Sequence, residues 1–289
     1  MGRRKTTQIL FLFTMPALAL YLFFFIYPML TGIYYSLTEW NGMAPVKKFV
    51  GLANYLRIFS DAEAIRALIN TLIYTVFVTA MSLVIGFVLA IALERGTRGN
   101  NILRTLFFIP AVLSPVVASF IWKYMYAPES GVINSLLRII GLNGLTQDWL
   151  GDPKLAMLSV MIVPLWQWGG NVMIVFLAGL MGISPEYYDS AAIDGANVWQ
   201  KIRYVTLPLI KPAMVFNVII STIGSLKTFD FIFIMTNGGP GYFTEVLTLR
   251  VYKYMVYTPK FGYGSAVAML LTFIVVIVSL TEYKLLTRE

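Results

Sequence analysis

Residues 185–212 read PEYYDSAAIDGANVWQKIRYVTLPLIKP, a polar and charged stretch inside an otherwise apolar chain, and its local signals still demand ordered helix. Ser184, Pro185 and Glu186 make a helix start: a side-chain cap, a proline whose missing N–H is not needed at the first position, and an acid in the first turn. Gly195 reads as the stop, because glycine can take the left-handed conformation that closes a helix. Asn197 then caps a second helix in which Gln200 completes something close to a capping box, and Pro208 and Pro212 are expected to end it. Val198, Ile202 and Val205 give the second helix an apolar stripe. The first helix carries Tyr187, Tyr188, Ala191 and Ala192 in a segment too polar to span lipid. Such a helix–glycine–helix element suits insertion into the groove of another protein, or folds back on its own bundle. Spacing alone leaves both open.

The rest of the chain is membrane-like. Of 289 residues, 58% are hydrophobic and 12% charged, against about a quarter charged in soluble proteins. The net charge of +8 comes from basic residues scattered among apolar runs with no basic stripe, which argues for membrane topology and against nucleic acid. With no Cys and no His, disulfides, thiol nucleophiles, thiolate metal sites and imidazole bases are excluded. Runs of membrane length lie at 9–30, 69–93, 106–126, 155–181, 213–235 and 265–280, predicting six spans in a single all-α integral membrane domain. The first follows Arg3, Arg4 and Lys5 but is too long for a signal core, and no small-residue cleavage site precedes the aromatic stretch 21–27, so it reads as an uncleaved span. Lys and Arg are roughly twice as dense in the segments placed inside by a cytoplasmic N-terminus. Both termini and the 184–212 loop are therefore expected in the cytoplasm. On the outer side, residues 52–68 suit short amphipathic helices, and the Asn237–Pro240 turn should end the fifth span abruptly.

Polar residues within spans are costly unless they face protein or water. The fourth span clusters Trp166, Gln167, Trp168, Gly169, Gly170 and Asn171. Indoles stack on the apolar faces of sugar rings and amides bond hydroxyls in either direction, whereas tight helix packing would use the same residues. In the fifth span Ser221, Ser225 and Thr228 recur at helical spacing, and Lys227 and Asp230, three apart, either pair with each other or meet a ligand. Lys123 reads as a snorkelling lysine near a span end.

Asp189-Ser190-Ala191, Asp194-Gly195-Ala196 and Leu207-Pro208 resemble the E-A-A…D-G-A…I-x-L-P loop of ABC-importer permeases, with Asp189 for the usual Glu, Ser190 for the first Ala and Val205 for the usual Ile. Gly51-Leu52-Ala53-Asn54-Tyr55, Asn70-Thr71 and Thr236-Asn237-Gly238-Gly239-Pro240 are similar to segments of carbohydrate-importer permeases of the maltose type, so the likeness covers nearly the whole chain. It implies a type I importer permease fold of six transmembrane helices with a cytosolic coupling loop. Glu186, Asp189, Ala192, Asp194, Gly195 and Pro208 then belong to the element that docks into an ATPase cleft. Gln167, Trp168, Asn171, Ser221 and Ser225 become the substrate path, for a carbohydrate cargo expected to be an oligosaccharide; Gly224 stands where the prototype has an aromatic. The prototype's extra N-terminal spans and large outer insert have no counterpart, so the chain looks like the shorter form. The implied partners are a second, homologous permease, two copies of an ABC ATPase, an external sugar-binding protein and the lipid of a bacterial-type inner membrane. ATP and Mg would be bound by the ATPase, with no cofactor in this chain.

That division of labour agrees with the absence of any G-x-x-x-x-G-K-[ST] phosphate loop. The competing class, an ion-gradient-driven secondary transporter or channel, would be favoured by an inverted repeat or mid-membrane carboxylates. Apart from Asp230 near a span end, the sequence offers neither. A membrane enzyme would need paired acids within a span, and there are none.

Overall fold

The structure, a computed structural model, describes residues 2–288; the side chains of residues 2–10 and of Leu12 lie outside it, and with them the basic cluster Arg3, Arg4 and Lys5. Helix α1 (Gly2–Tyr21) passes through a π turn (Leu22–Ile26) into α2 (Tyr27–Ser36), and a two-stranded antiparallel pair follows, β1 (Thr38–Glu39) with β2 (Lys48–Phe49). Then come α3 (Ala53–Ile58), α4 (Ala62–Ala92), α5 (Arg98–Val112), α6 (Pro115–Met125), α7 (Val132–Ile139) and α8 (Ala156–Met181). The polar insert forms α9 (Pro185–Ile193), α10 (Val198–Lys201), a second π turn (Ile202–Thr206) and α11 (Leu207–Leu209). The chain ends in α12 (Lys211–Leu226), α13 (Asp230–Met235), α14 (Leu247–Val256) and α15 (Phe261–Thr287).

Four uninterrupted stretches are long and apolar enough to cross a membrane, Phe13–Ser36, Ala62–Ala92, Ala156–Met181 and Phe261–Thr287, and two bent pairs bring the number to the expected six. A bend corrects the sequence reading of the third span, and a break in helix that of the fifth. The third is not one run over 106–126: α5 and α6 meet at 99°. Pro115 disfavours helix at the residue before it, so Ser114 is extended (φ −68, ψ 148) and its hydroxyl caps α6 by accepting from the Val117 N–H at 3.3 Å. The fifth does not run over 213–235: α12 stops at Leu226 and helix resumes only at Asp230. Residues 62–68 are the first turns of α4 and no separate surface helix. Pro208 does not end its helix either. The i→i+5 bond from the Leu207 N–H to the Ile202 carbonyl lets the ladder step around a residue without an N–H. The Tyr27 N–H bonds the Leu22 carbonyl just before Pro28 in the same way.

Packing divides the chain into two compact units, Met1–Ala64 with Arg250–Thr272, and Ile65–Leu249 with Phe273–Glu289. In the first, the Asn54 amide donates to the Ser36 and Thr38 carbonyls at 2.9 Å each, satisfying backbone freed where α2 ends. Asp61 accepts from the Tyr254 hydroxyl and from the Tyr263 hydroxyl at 2.9 Å, and Arg250 pairs with Glu63 at 2.8 Å. Burial pushes the Asp61 carboxyl up, but the two tyrosine donors and the N–H groups of Ala64 and Glu63 outweigh it and hold it below its ordinary value.

The second unit is built on α8. Ala90, Leu93, Val172, Met173, Phe176, Leu177, Leu180 and Ile210 form a buried cluster joining α4, α8 and the residue between α11 and α12. Small residues let backbones approach: a Cβ on Gly170 would lie 2.1 Å from the Phe107 carbonyl oxygen of α5, and one on Gly86 2.5 Å from Val172 Cγ1. Gly170 of the double glycine therefore serves close packing, and α8 continues through both glycines as helix. Arg104 closes the α4 C-terminus by donating to the Leu93 carbonyl at 2.6 and 3.0 Å and to the Glu94 carbonyl at 2.9 Å.

Candidate functional site

A cavity of about 360 Å³ lies in the second unit, lined from α4 by Tyr74, Val78 and Ser82, from α6 by Pro115, from α8 by Pro164, Trp168, Asn171, Val172 and Val175, and from α12 onward by Phe216, Asn217, Ile220, Ser221, Gly224, Ser225 and residues 227–231. Four of the five side chains predicted for the path, Trp168, Asn171, Ser221 and Ser225, are brought together here. Gln167 is not. It is fully buried, and its amide donates to the Leu113 carbonyl at 2.7 Å, where the α5–α6 bend leaves that group without a helical partner. One residue's rotation along a helix is about 100°, so consecutive Gln167 and Trp168 face different neighbours. Trp166 likewise turns away and meets the Trp122 ring edge-on at 5.7 Å.

The end of α12 is held by hydrogen bonds. The Asn217 amide donates to the Val172 carbonyl at 3.2 Å, tying α12 to α8. Past Leu226, the Thr228 hydroxyl donates to the hydroxyl of fully buried Tyr74 at 3.1 Å, and the Thr228 carbonyl accepts from the Thr248 hydroxyl. This fastening keeps residues 227–229 out of helix. Lys227 and Asp230 therefore lack the helical i, i+3 geometry that the sequence suggested, and they do not pair with each other or with any other described residue; both line the cavity. Lys123 does more than snorkel: its ammonium donates to the Ile234 carbonyl at 2.9 Å, beside the C-terminus of α13. Gly224 leaves an opening, since a Cβ there would meet no atom within 4 Å.

Sequence reasoning missed the contribution of α4. Its signal was present: Thr71, Thr75, Thr79 and Ser82 recur at helical spacing along an apolar span, and all four are buried. Tyr74 and Ser82 reach the cavity from that helix.

The polar insert folds as its local signals demand. The Ser184 hydroxyl accepts from the Glu186 N–H at 3.4 Å. At the other end of α9 the Gly195 N–H bonds the Ala192 carbonyl (3.1 Å) and the Ala196 N–H the Ala191 carbonyl (2.9 Å), a Schellman closure with Gly195 at φ +78. Asn197 and Gln200 form a full capping box, each side chain accepting from the other's backbone N–H at 2.9 and 2.8 Å. Tyr188 and Thr206 hydroxyls, 3.0 Å apart, fold α9 against the π turn. Glu186, Asp189, Ala192, Asp194, Gly195 and Pro208 all remain exposed. So do Ile193 (87%), Val198 (76%) and Trp199 (67%); Val198 thus leaves the expected stripe, while Ile202 and Val205 are half-buried.

Known proteins share this fold and sequence pattern. Residues 82–285 match the family described as the inner membrane component of binding-protein-dependent transport systems. The chain is 38% identical over 280 residues to a probable ABC transporter permease protein of Pyrococcus horikoshii, covering 97% of this chain and 96% of that one. It is 34% identical over 276 residues to the lactose transport system permease protein of Rhizobium radiobacter, covering 94% and 92%. Among solved structures, a bacterial ABC transporter chain involved in the import of the acidic polysaccharide alginate has the same fold, with a TM-score of 0.84 and 23% identity over 98% of this chain and 96% of that one. The chain belongs to the family of binding-protein-dependent transport system inner membrane components, the permease subunits of ABC importers.

Proposed function

We propose that this protein is a permease subunit of an ATP-driven carbohydrate importer, one transmembrane domain forming half of the translocation path. The observation that carries the reading is a physical connection within one run of chain. The exposed, capped element formed by α9 and α10 continues through the π turn and α11, bends by 72° at Ile210, and becomes α12, whose far end lines the cavity with Ser221, Gly224 and Ser225. A force applied to the exposed element has a direct helical route to the cavity wall. Ile210 sits in the buried cluster, so the bend is anchored in the core.

In this reading Glu186, Asp189, Ala192, Asp194, Gly195 and Pro208 belong to the surface that docks with an ABC ATPase, present in two copies and holding the ATP and Mg. Exposed Ile193, Val198 and Trp199 supply the apolar contact such docking needs. Trp168, Asn171, Ser221 and Ser225 face the cargo, the indole stacking on a sugar ring and the amide and hydroxyls bonding its hydroxyl groups. A second permease closes the other side of the path, an external binding protein delivers the sugar, and both termini face the cytoplasm. The likeness to a lactose transport system permease protein supports a carbohydrate cargo.

The test is reconstitution with the cognate ATPase, second permease and binding protein in liposomes. ATP-dependent sugar uptake that stops when the ATPase is omitted is the expected result. Uptake by this chain alone, driven by an imposed ion gradient, would establish the secondary-transporter alternative.

A further inference from the structure

Two charged side chains in the cavity have no assigned role. Lys227 and Asp230 line it together with Ser221 and Ser225, and among the described residues neither has an ion-pair or hydrogen-bond partner for its side chain. Their separation is built in. Helix stops at Leu226 and restarts at Asp230, and Thr228 between them is fastened by its side chain to Tyr74 and by its carbonyl to Thr248. An ammonium and a carboxylate that face one cavity without pairing are both open to a ligand that completes them.

Resting on the carbohydrate-importer reading, we infer that Lys227 and Asp230 grip the cargo as a divided ion pair that selects an uncharged sugar. The ammonium has donors only and the carboxylate acceptors only, whereas each sugar hydroxyl both donates and accepts. Neighbouring hydroxyls can therefore satisfy both groups at once through charge-assisted hydrogen bonds, which are about twice as strong as neutral ones. A sugar acid would gain at Lys227 and be repelled at Asp230. An amino sugar meets the reverse. The lining contributed by this chain sums to zero charge, and the uncharged polyol is the ligand that neither group opposes.

Binding is read by tryptophan fluorescence on the purified transporter complex without its external binding protein, so that the permease's own preference is measured. The probes are lactose, digalacturonate and the glucosamine disaccharide. Wild type is expected to bind lactose in preference to both charged probes. Lys227→Gln and Asp230→Asn should each weaken lactose by about tenfold. They should also move the preference in opposite directions, toward the glucosamine disaccharide when the ammonium is lost and toward digalacturonate when the carboxylate is lost. A wild-type preference for either charged probe overturns the inference, as do variants with unchanged affinities and unchanged order. If Asp230→Asn fails to accumulate, Lys227→Gln at its exposed position decides the matter alone. Failure of wild type to bind any of the three sinks the carbohydrate reading itself, a different result from variants that bind sugar as wild type does.

Discussion

The Gln167 amide donates to the Leu113 carbonyl at 2.7 Å across 54 residues of sequence, and it does so where α5 and α6 part at 99°. The bond joins the fourth span to the broken third one. Removing it leaves the carbonyl of half-buried Leu113 without this side-chain donor.

Gln167→Leu is therefore expected to destabilise the protein by about 0.5–1.5 kcal/mol, the usual net worth of a hydrogen bond. Thermal unfolding of the purified complex checks this. The sugar half-saturation of the variant that does assemble should stay near wild type, because Gln167 does not line the cavity. A changed half-saturation with unchanged stability would return Gln167 to the substrate path.

Gly170→Ala places a Cβ against the Phe107 carbonyl oxygen at 2.1 Å, so backbone must shift. Overpacking of this kind costs about 1–3 kcal/mol. Reduced yield and a lower unfolding temperature are the expected outcome, with Gly224→Ala as the contrast: its Cβ meets nothing within 4 Å, so stability should hold.

Gly195 stands at φ +78 with open space around it, so a substitution there acts through backbone strain alone. Gly195→Val should weaken ATPase association and uncouple hydrolysis from uptake while leaving membrane yield intact. Asn tolerates the left-handed region better than Val, so Gly195→Asn should recover much of the coupling. Co-purification with the ATPase and the ratio of ATP hydrolysed to sugar imported measure both. Full coupling in the Val variant would remove Gly195 from the docking element.

In the cavity, Asn171→Ala and Ser225→Ala each remove one bond to a neutral hydroxyl, worth about 0.5–1.5 kcal/mol. Half-saturation for sugar should rise by factors of about 2 to 12, with yield unchanged. Altered yield with unchanged transport kinetics would mark these two positions as packing.

Asp61 makes a prediction in pH. Its carboxyl is held below the ordinary value in the folded protein by Tyr254 and Tyr263, so its stabilising contribution is present above the unfolded value of 3.8 and is lost as pH falls through the lower, folded one. Unfolding temperature followed downward from neutral pH should fall in that acid window for wild type and fall less for Asp61→Asn. Parallel curves for the two proteins would refute the assignment.

What the sequence determined by itself is local. Ser184 and Pro185 start a helix, Gly195 closes it and Asn197 with Gln200 starts the next, because each bond joins groups at most five residues apart and needs nothing else from the fold. Apolar runs of membrane length were legible for the same reason, since lipid reads composition one segment at a time. The tertiary structure decided the rest. Whether Gln167 faced cargo or packing depended on Leu113, whose carbonyl became an orphan only when Ser114 left the helix. Whether Lys227 and Asp230 paired depended on Tyr74, 154 residues before the Thr228 it binds, because that bond helps hold the break that keeps the two charges apart. Spacing along a chain specifies what a residue can reach within a turn or two of helix. Which face of a span meets a cavity is set by the neighbours that pack against it.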